Sequence, residues 1–117
     1  MRLLHVVHSC DPLAGGVAEA VNRLAEAAVG IDHEAEIATC DEPAGSFLEE
    51  LDVTARGFGP ASDSSYHSCP FLGDWLMENA SGFDALVSHG LWQYPSVAVR
   101  KAALKVDKPY FVYPHGM

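Results

Sequence analysis

Two adjacent glycines, Gly15 and Gly16, sit between an apolar run and a helical pattern in "LHVVHSCDPLAGGVAEAV", residues 4–21. Two uses are open to such a pair. Backbone N–H groups at the start of a helix suit an anionic ligand, through free amides and the helix dipole. A tight strand-to-helix turn needs the positive φ that glycine tolerates. The spacing excludes two better-known phosphate loops, because GxGxxG needs three glycines at fixed intervals and a Walker loop needs a Gly-Lys-Ser/Thr that does not follow here. The glycines alone leave both uses open.

Histidines and cysteines supply the other chemistry. Cys10, Cys40, His89 and His115 are zinc-compatible side chains, but no pair has the short spacing of a structural zinc site, so no metal is expected. Cys10 with His89 would make a nucleophile pair only with a third orienting group, and none is identifiable. His5 and His8 fall on opposite faces of one strand by the period of two. His5 reads as a hydrogen-bonded histidine at a sheet–helix interface, while His8, nearer the strand's carboxyl end, is open to either role. Trp92 and Tyr94 follow His89 closely; they form an aromatic wall of the kind sugars favour, or they pack their loop onto the next helix. Phe71 and Trp75 fit an apolar helical face and read as core.

The elements that must position these residues alternate. Strand signals cover Leu3 to Ser9, Ala35 to Cys40, Val53 to Phe58 with an interruption at Gly57, Ala85 to Ser88 and Tyr110 to Tyr113. A helix is expected from Val17 to Val29, with Val17, Ala20, Val21, Leu24 and Ala28 on its apolar face and Gly30 as its stop. Phe47 to Leu51 is a helical turn or two. A further helix begins at Pro70 with Phe71, Leu72, Trp75 and Leu76 on one face, and another runs from Ser96, as N-cap, to Val106. The segment Gly59 to Ser65 is loop and too short for a domain linker. Strands alternating with helices predict an α/β domain over residues 1–117, a Rossmann-like parallel sheet with helices on both faces in three layers. Sites in such sheets form beyond the carboxyl ends of the strands, where strand order reverses. Those ends are Ser9-Cys10, Cys40-Asp41, His89-Gly90 and His115-Gly116. With strand order 3-2-1-4-5, the crevice lies between the first and fourth strands and brings the Gly15-Gly16 loop opposite His89.

Composition narrows the classes. The chain has 117 residues, half of them apolar and a fifth charged, enough to bury roughly two thirds of the unfolded surface. No apolar stretch reaches the roughly 18 residues of a membrane helix, and the N-terminus lacks a signal-peptide pattern, so a cytoplasmic protein is expected. Sixteen acids against seven bases give a net charge of −9, which argues against nucleic-acid binding. Arg100, Lys101, Lys105 and Lys108 read as the solvated face and last turn of a helix, with a peripheral membrane contact as the rival reading. The odd number of cysteines, Cys10, Cys40 and Cys69, fits reduced and at least partly buried thiols.

Three segments, "HSCDPLAGGVAEAVNRLAEA", "FDALVSHGLWQYPSVAVRKAA" and "KPYFVYPHGM", taken in that order, resemble the N-terminal domain of family-4 (group 1) glycosyltransferases of the GT-B fold. The combination of tandem glycines, "SHGLW" and "PHGM" carries the resemblance across essentially the whole chain. It implies an enzyme of two Rossmann-like domains. That enzyme transfers a sugar from a nucleotide-diphosphate donor to a sugar or lipid-linked acceptor, with retention and without a metal or other cofactor. By the resemblance, Gly15 and Gly16 approach the donor diphosphate and His115 lies at the donor sugar as the catalytic-site histidine. His89, Gly90 and Trp92 line the acceptor side. It further implies that the rest of the N-terminal domain and the donor domain are absent here, so this chain alone is expected to be inactive, with self-association through the uncovered surfaces as a further expectation. A stand-alone flavodoxin-like binding or interaction module is the alternative.

Overall fold

Strand Arg2–Val7 (β1) opens a five-stranded sheet whose order is β3-β2-β1-β4-β5, with β2 Glu34–Thr39, β3 Thr54–Gly57, β4 Ala85–His89 and β5 Tyr110–Tyr113. All four pairings are parallel, and this is the order on which the sequence-derived crevice depends. The computed structural model describes residues 2–9, 20–21, 23–27, 34–43, 48, 53–59, 68–90 and 94–113.

Both faces of β1 are buried, which is why its sequence reads as a nearly continuous apolar run. Leu4 and Val6 join Ala38, Cys40 and Leu86 on one face, beneath helices α2 (Pro70–Asn79) and α3 (Tyr94–Val106). Val7 joins Ile37 and Val53 on the other, with Val21 and Ala25 of α1, which is helical at 20–21 and 23–27.

Each helix corrects one detail of the sequence reading. In α1, Ala25 is fully buried and Leu24 is 37% exposed, so the apolar stripe runs through Val21 and Ala25 rather than Leu24. In α2, Pro70 stands in the first turn as expected, and Leu72 and Leu76, four apart, fill the core, but Phe71 points outward at 73% exposure. Helix α3 starts at Tyr94 and not at Ser96, because Pro95 is compatible with a first turn. Its buried Pro95, Ala98, Val99, Ala102 and Ala103 recur at helical spacing. Asp107, at φ 55°, ends α3 in the left-handed region, and Lys108 N–H closes the turn on the Ala103 carbonyl. Arg100, Lys101 and Lys105 are exposed, as a solvated helix face requires.

At the amino ends of the strands the fold is tied by charge. Arg2 meets Glu34 at 2.9 Å and Glu36 at 2.7 Å, donates to the Gly82 carbonyl and lies over the Phe83 ring. Arg56 pairs with the same Glu36. Burial raises the Glu36 carboxyl, but hydrogen bonds from Arg56 and Arg2 outweigh it and hold the pKa below the ordinary value. Arg2 N–H also donates to Asp84, whose carboxyl is held low by that bond first.

Among the described residues, no helix is long and apolar enough to cross a membrane.

Candidate functional site

Strands β2 and β3 extend the sheet to one side of β1, and the chain then crosses to β4 on the other. The reversal therefore falls between β1 and β4, and their carboxyl ends carry the site in folds of this kind. Several polar residues here are held by buried or part-buried bonds.

His5 occupies the middle of β1, opposite Ile37 on β2 and Val87 on β4. Alternation puts it on the α1 face, together with His89 two residues beyond Val87. The rings stack with centroids 5.2 Å apart, and His5 Nδ1 lies 2.9 Å from His89 Nε2. His89 stacks in turn on Tyr113, its register partner on β5, at 5.4 Å. Both imidazoles are buried, His5 at 4% exposure and His89 at 2%. Burial pushes the His5 pKa down to about 4, so the ring is neutral at physiological pH. Among the described residues its Nε2 has no hydrogen-bond partner, and neither does the buried Ser88 hydroxyl on the opposite face.

Gly90 follows with φ 98°, a conformation that disfavours any side chain, and its N–H donates to the Tyr113 carbonyl at 2.8 Å. Part of what "HG" requires at residues 89–90 is thus conformational. At the ends of β1 and β2, Ser9 donates to Asp41 at 2.6 Å, while Asp41 N–H is held by Thr39 Oγ1. Beside them Gly57 closes β3: a Cβ there would stand 2.5 Å from the Asp41 carbonyl oxygen. Close approach explains the glycine that interrupts this strand signal.

Cys40 turns the other way. It lies in the core beneath α2 and α3 with Cys69, both as free thiols, and burial followed by the neighbouring Cys69 raises its pKa. Cys40 and His89 therefore sit on opposite faces of the sheet and do not converge on one metal. Tyr94 belongs to packing, its hydroxyl lying 2.1 Å from where a Gly73 Cβ would stand. Gly15, Gly16, Trp92, His115 and Cys10 lie outside the described residues.

Of the sequence-derived site, the structure thus places His89 and Gly90 at the end of β4. Sequence reading did not pair His5 with His89, Ser9 with Asp41, or Tyr113 with either ring. Once β1 is set beside β4, the first pairing follows from the register.

A family model described as "Glycosyl transferase 4-like domain" matches residues 15–117. No curated protein matches the chain. The crystal structure of Anabaena HepE in complex with UDP and glucose is similar in fold, with TM-score 0.69 and 18% identity over 96% of this chain and 29% of that one. The chain therefore spans less than a third of that protein's length. The C-terminal domain of a Pyrococcus furiosus hydrogenase is also similar, with TM-score 0.60 and 13% identity over 95% of this chain and 89% of that domain. Tandem glycines, "SHGLW" and "PHGM" all fall within or at the border of the matched segment, and the parallel sheet agrees with it. The chain belongs to the glycosyl transferase 4-like domain family.

Proposed function

We propose that this chain is the acceptor-side N-terminal part of a retaining glycosyltransferase, a single Rossmann-like unit that works against a donor domain carried elsewhere in a longer protein. The observation that carries the reading is the coincidence of the family match with the β1–β4 crevice, where His89 and Gly90 stand at the strand end. The donor is a nucleotide-diphosphate sugar, in keeping with the UDP and glucose bound by HepE. The acceptor is a sugar or a lipid-linked sugar, and the chemistry uses neither metal nor nucleic acid. The protein works in the cytoplasm, with the basic face of α3 in solvent and a peripheral membrane contact as the rival reading.

Gly15 and Gly16 act on the leaving diphosphate. Its departure builds negative charge that backbone amides at a helix start stabilise without a cation. His115 lies at the donor sugar and bonds or orients a hydroxyl. His89, Gly90 and Trp92 form the acceptor side. The chain alone does not turn over donor, and the exposed Phe111, Val112 and Tyr113 of β5 favour self-association.

In the longer protein, Gly16→Val or His115→Ala lowers sugar transfer by roughly tenfold or more, the scale of one well-placed interaction. A transfer and donor-hydrolysis screen, with this chain as the inactive control, measures it. Near-normal turnover in both variants removes the site assignment. A second reading, a stand-alone binding module, gains support from the hydrogenase domain, where a similar fold makes up 89% of a separate domain. Specific ligand binding by the isolated chain, without transfer by any longer form, decides for that reading.

A further inference from the structure

The His5–His89 bond has two polarities, and the surroundings of His5 separate them. Either His5 Nδ1–H donates to His89 Nε2, leaving His5 Nε2 as a bare lone pair, or His89 Nε2–H donates and leaves His5 with an N–H at Nε2. That Nε2 is buried and has no partner among the described residues. The cross-strand neighbours of His5, Ile37 and Val87, offer it nothing. Buried N–H groups without partners are rarer than acceptors left short, and an unmade bond at a buried donor costs its desolvation. The first polarity avoids an orphaned donor.

We propose that His5 is a positioning residue for His89: its Nδ1–H, donated to His89 Nε2, fixes the His89 ring with its proton on Nδ1, so that the second ring nitrogen of His89 donates a hydrogen bond and does not accept one. Neutrality of His5, which burial enforces, keeps the bond single and directional. Tyr113, stacked at an interplanar angle of 10°, holds the far side of the same ring. The role of His89 in acceptor binding rests on the functional reading above; its tautomer does not.

Long-range proton–nitrogen correlation spectra of the ¹⁵N-histidine-labelled chain read both tautomers directly. Both His5 and His89 are expected with the proton on Nδ1 at neutral pH. His5→Phe, which keeps a ring and removes the donor, frees His89 to populate the other tautomer. His5→Asn, whose amide N–H lies near the place of Nδ1, restores the Nδ1–H form of His89. In the longer enzyme, His5→Phe lowers kcat about tenfold with little change in KM, and His5→Asn recovers most of the loss. A His5 proton on Nε2 in the unsubstituted chain overturns the proposal whether or not any variant folds. So does a His89 tautomer unmoved by His5→Phe. If the tautomers are as expected but His89→Ala in the longer enzyme transfers sugar normally, the positioning stands and the acceptor-side role of His89 falls.

Discussion

At the amino ends of the strands, Arg2 draws Glu34, Glu36 and Asp84 together at the surface; from the middle of β1 to the carboxyl end of β4, His5, His89 and Gly90 are held out of water. The first group is ionic, exposed except for the half-buried Glu36, and over-supplied with partners. The second is buried, its His5 ring is neutral, and among the described residues one ring nitrogen has no partner. Exposed ion pairs contribute little to stability, whereas a buried polar group is costly unless it is bonded. A fold that needed only to close would keep the second kind few. Their concentration at the end where parallel sheets place ligands is what the functional proposal builds on.

The two ends should fail in different pH windows, and acid gives the largest expected effect. The folded protein holds His5 neutral down to about 4, while the unfolded chain takes up that proton near the ordinary 6.5. On acidification the unfolded state therefore binds the proton first. Stability falls from about pH 6.5 and stops falling on this account near pH 4, a loss of roughly 3 kcal/mol. Glu36 and Asp84 act at lower pH, because their depressed pKa values stabilise the fold above the usual carboxylate range and are lost only below it. Urea midpoints measured from pH 7 to 4 should decline in the unsubstituted chain and decline much less in His5→Phe. Equal slopes would show that His5 is not the group that titrates.

Glycines at the carboxyl ends give the next effects. Gly57→Ala places a Cβ 2.5 Å from a backbone oxygen of Asp41, which cannot yield as a side-chain tip can. A destabilisation of about 2 kcal/mol is expected by urea unfolding, with movement of the Ser9–Asp41 bond. Gly90→Ala, at φ 98°, should cost about 1 to 2 kcal/mol and loosen the bond to the Tyr113 carbonyl. Faster amide exchange at residue 90 is its direct sign. If both substitutions are neutral, the carboxyl end is not the tightly determined region the comparison makes it.

How much of this could be read from the chain differs between fold and site. All five strands, the helix begun by Pro70 and the basic face of α3 follow from alternation and period alone, because parallel strands must cover both faces and surface helices only one. Where side chains compete for one stripe, the period is too coarse: Leu24 against Ala25, and Phe71 against Leu72, differ by a rotation of the helix that only tertiary packing settles. The candidate site was read as a set of strand ends, and the structure has His89 at the end of β4 with Gly90 after it. Its bonding was not legible, since the His5–His89 contact joins residues 84 apart and depends on which strands become neighbours. Gly15, Gly16, Trp92 and His115 remain expectations of the resemblance, carried forward in the functional proposal.

The smallest expected effect comes from the other end, and it tests the comparison most sharply. Glu34 lies at 72% side-chain exposure, 2.9 Å from the guanidinium of Arg2, which also holds Glu36. Glu34→Gln removes one charge from a network in which Arg2 keeps its other partners and water replaces the lost one. A change below about 0.5 kcal/mol is expected, smaller still in high salt. Measured beside Gly90→Ala under one set of conditions, it places an exposed charge against a buried backbone constraint in the same sheet. A loss as large as that of Gly90→Ala would mean that the amino-end charges are as tightly coupled to folding as the carboxyl-end groups. Burial would then no longer be what separates the two ends.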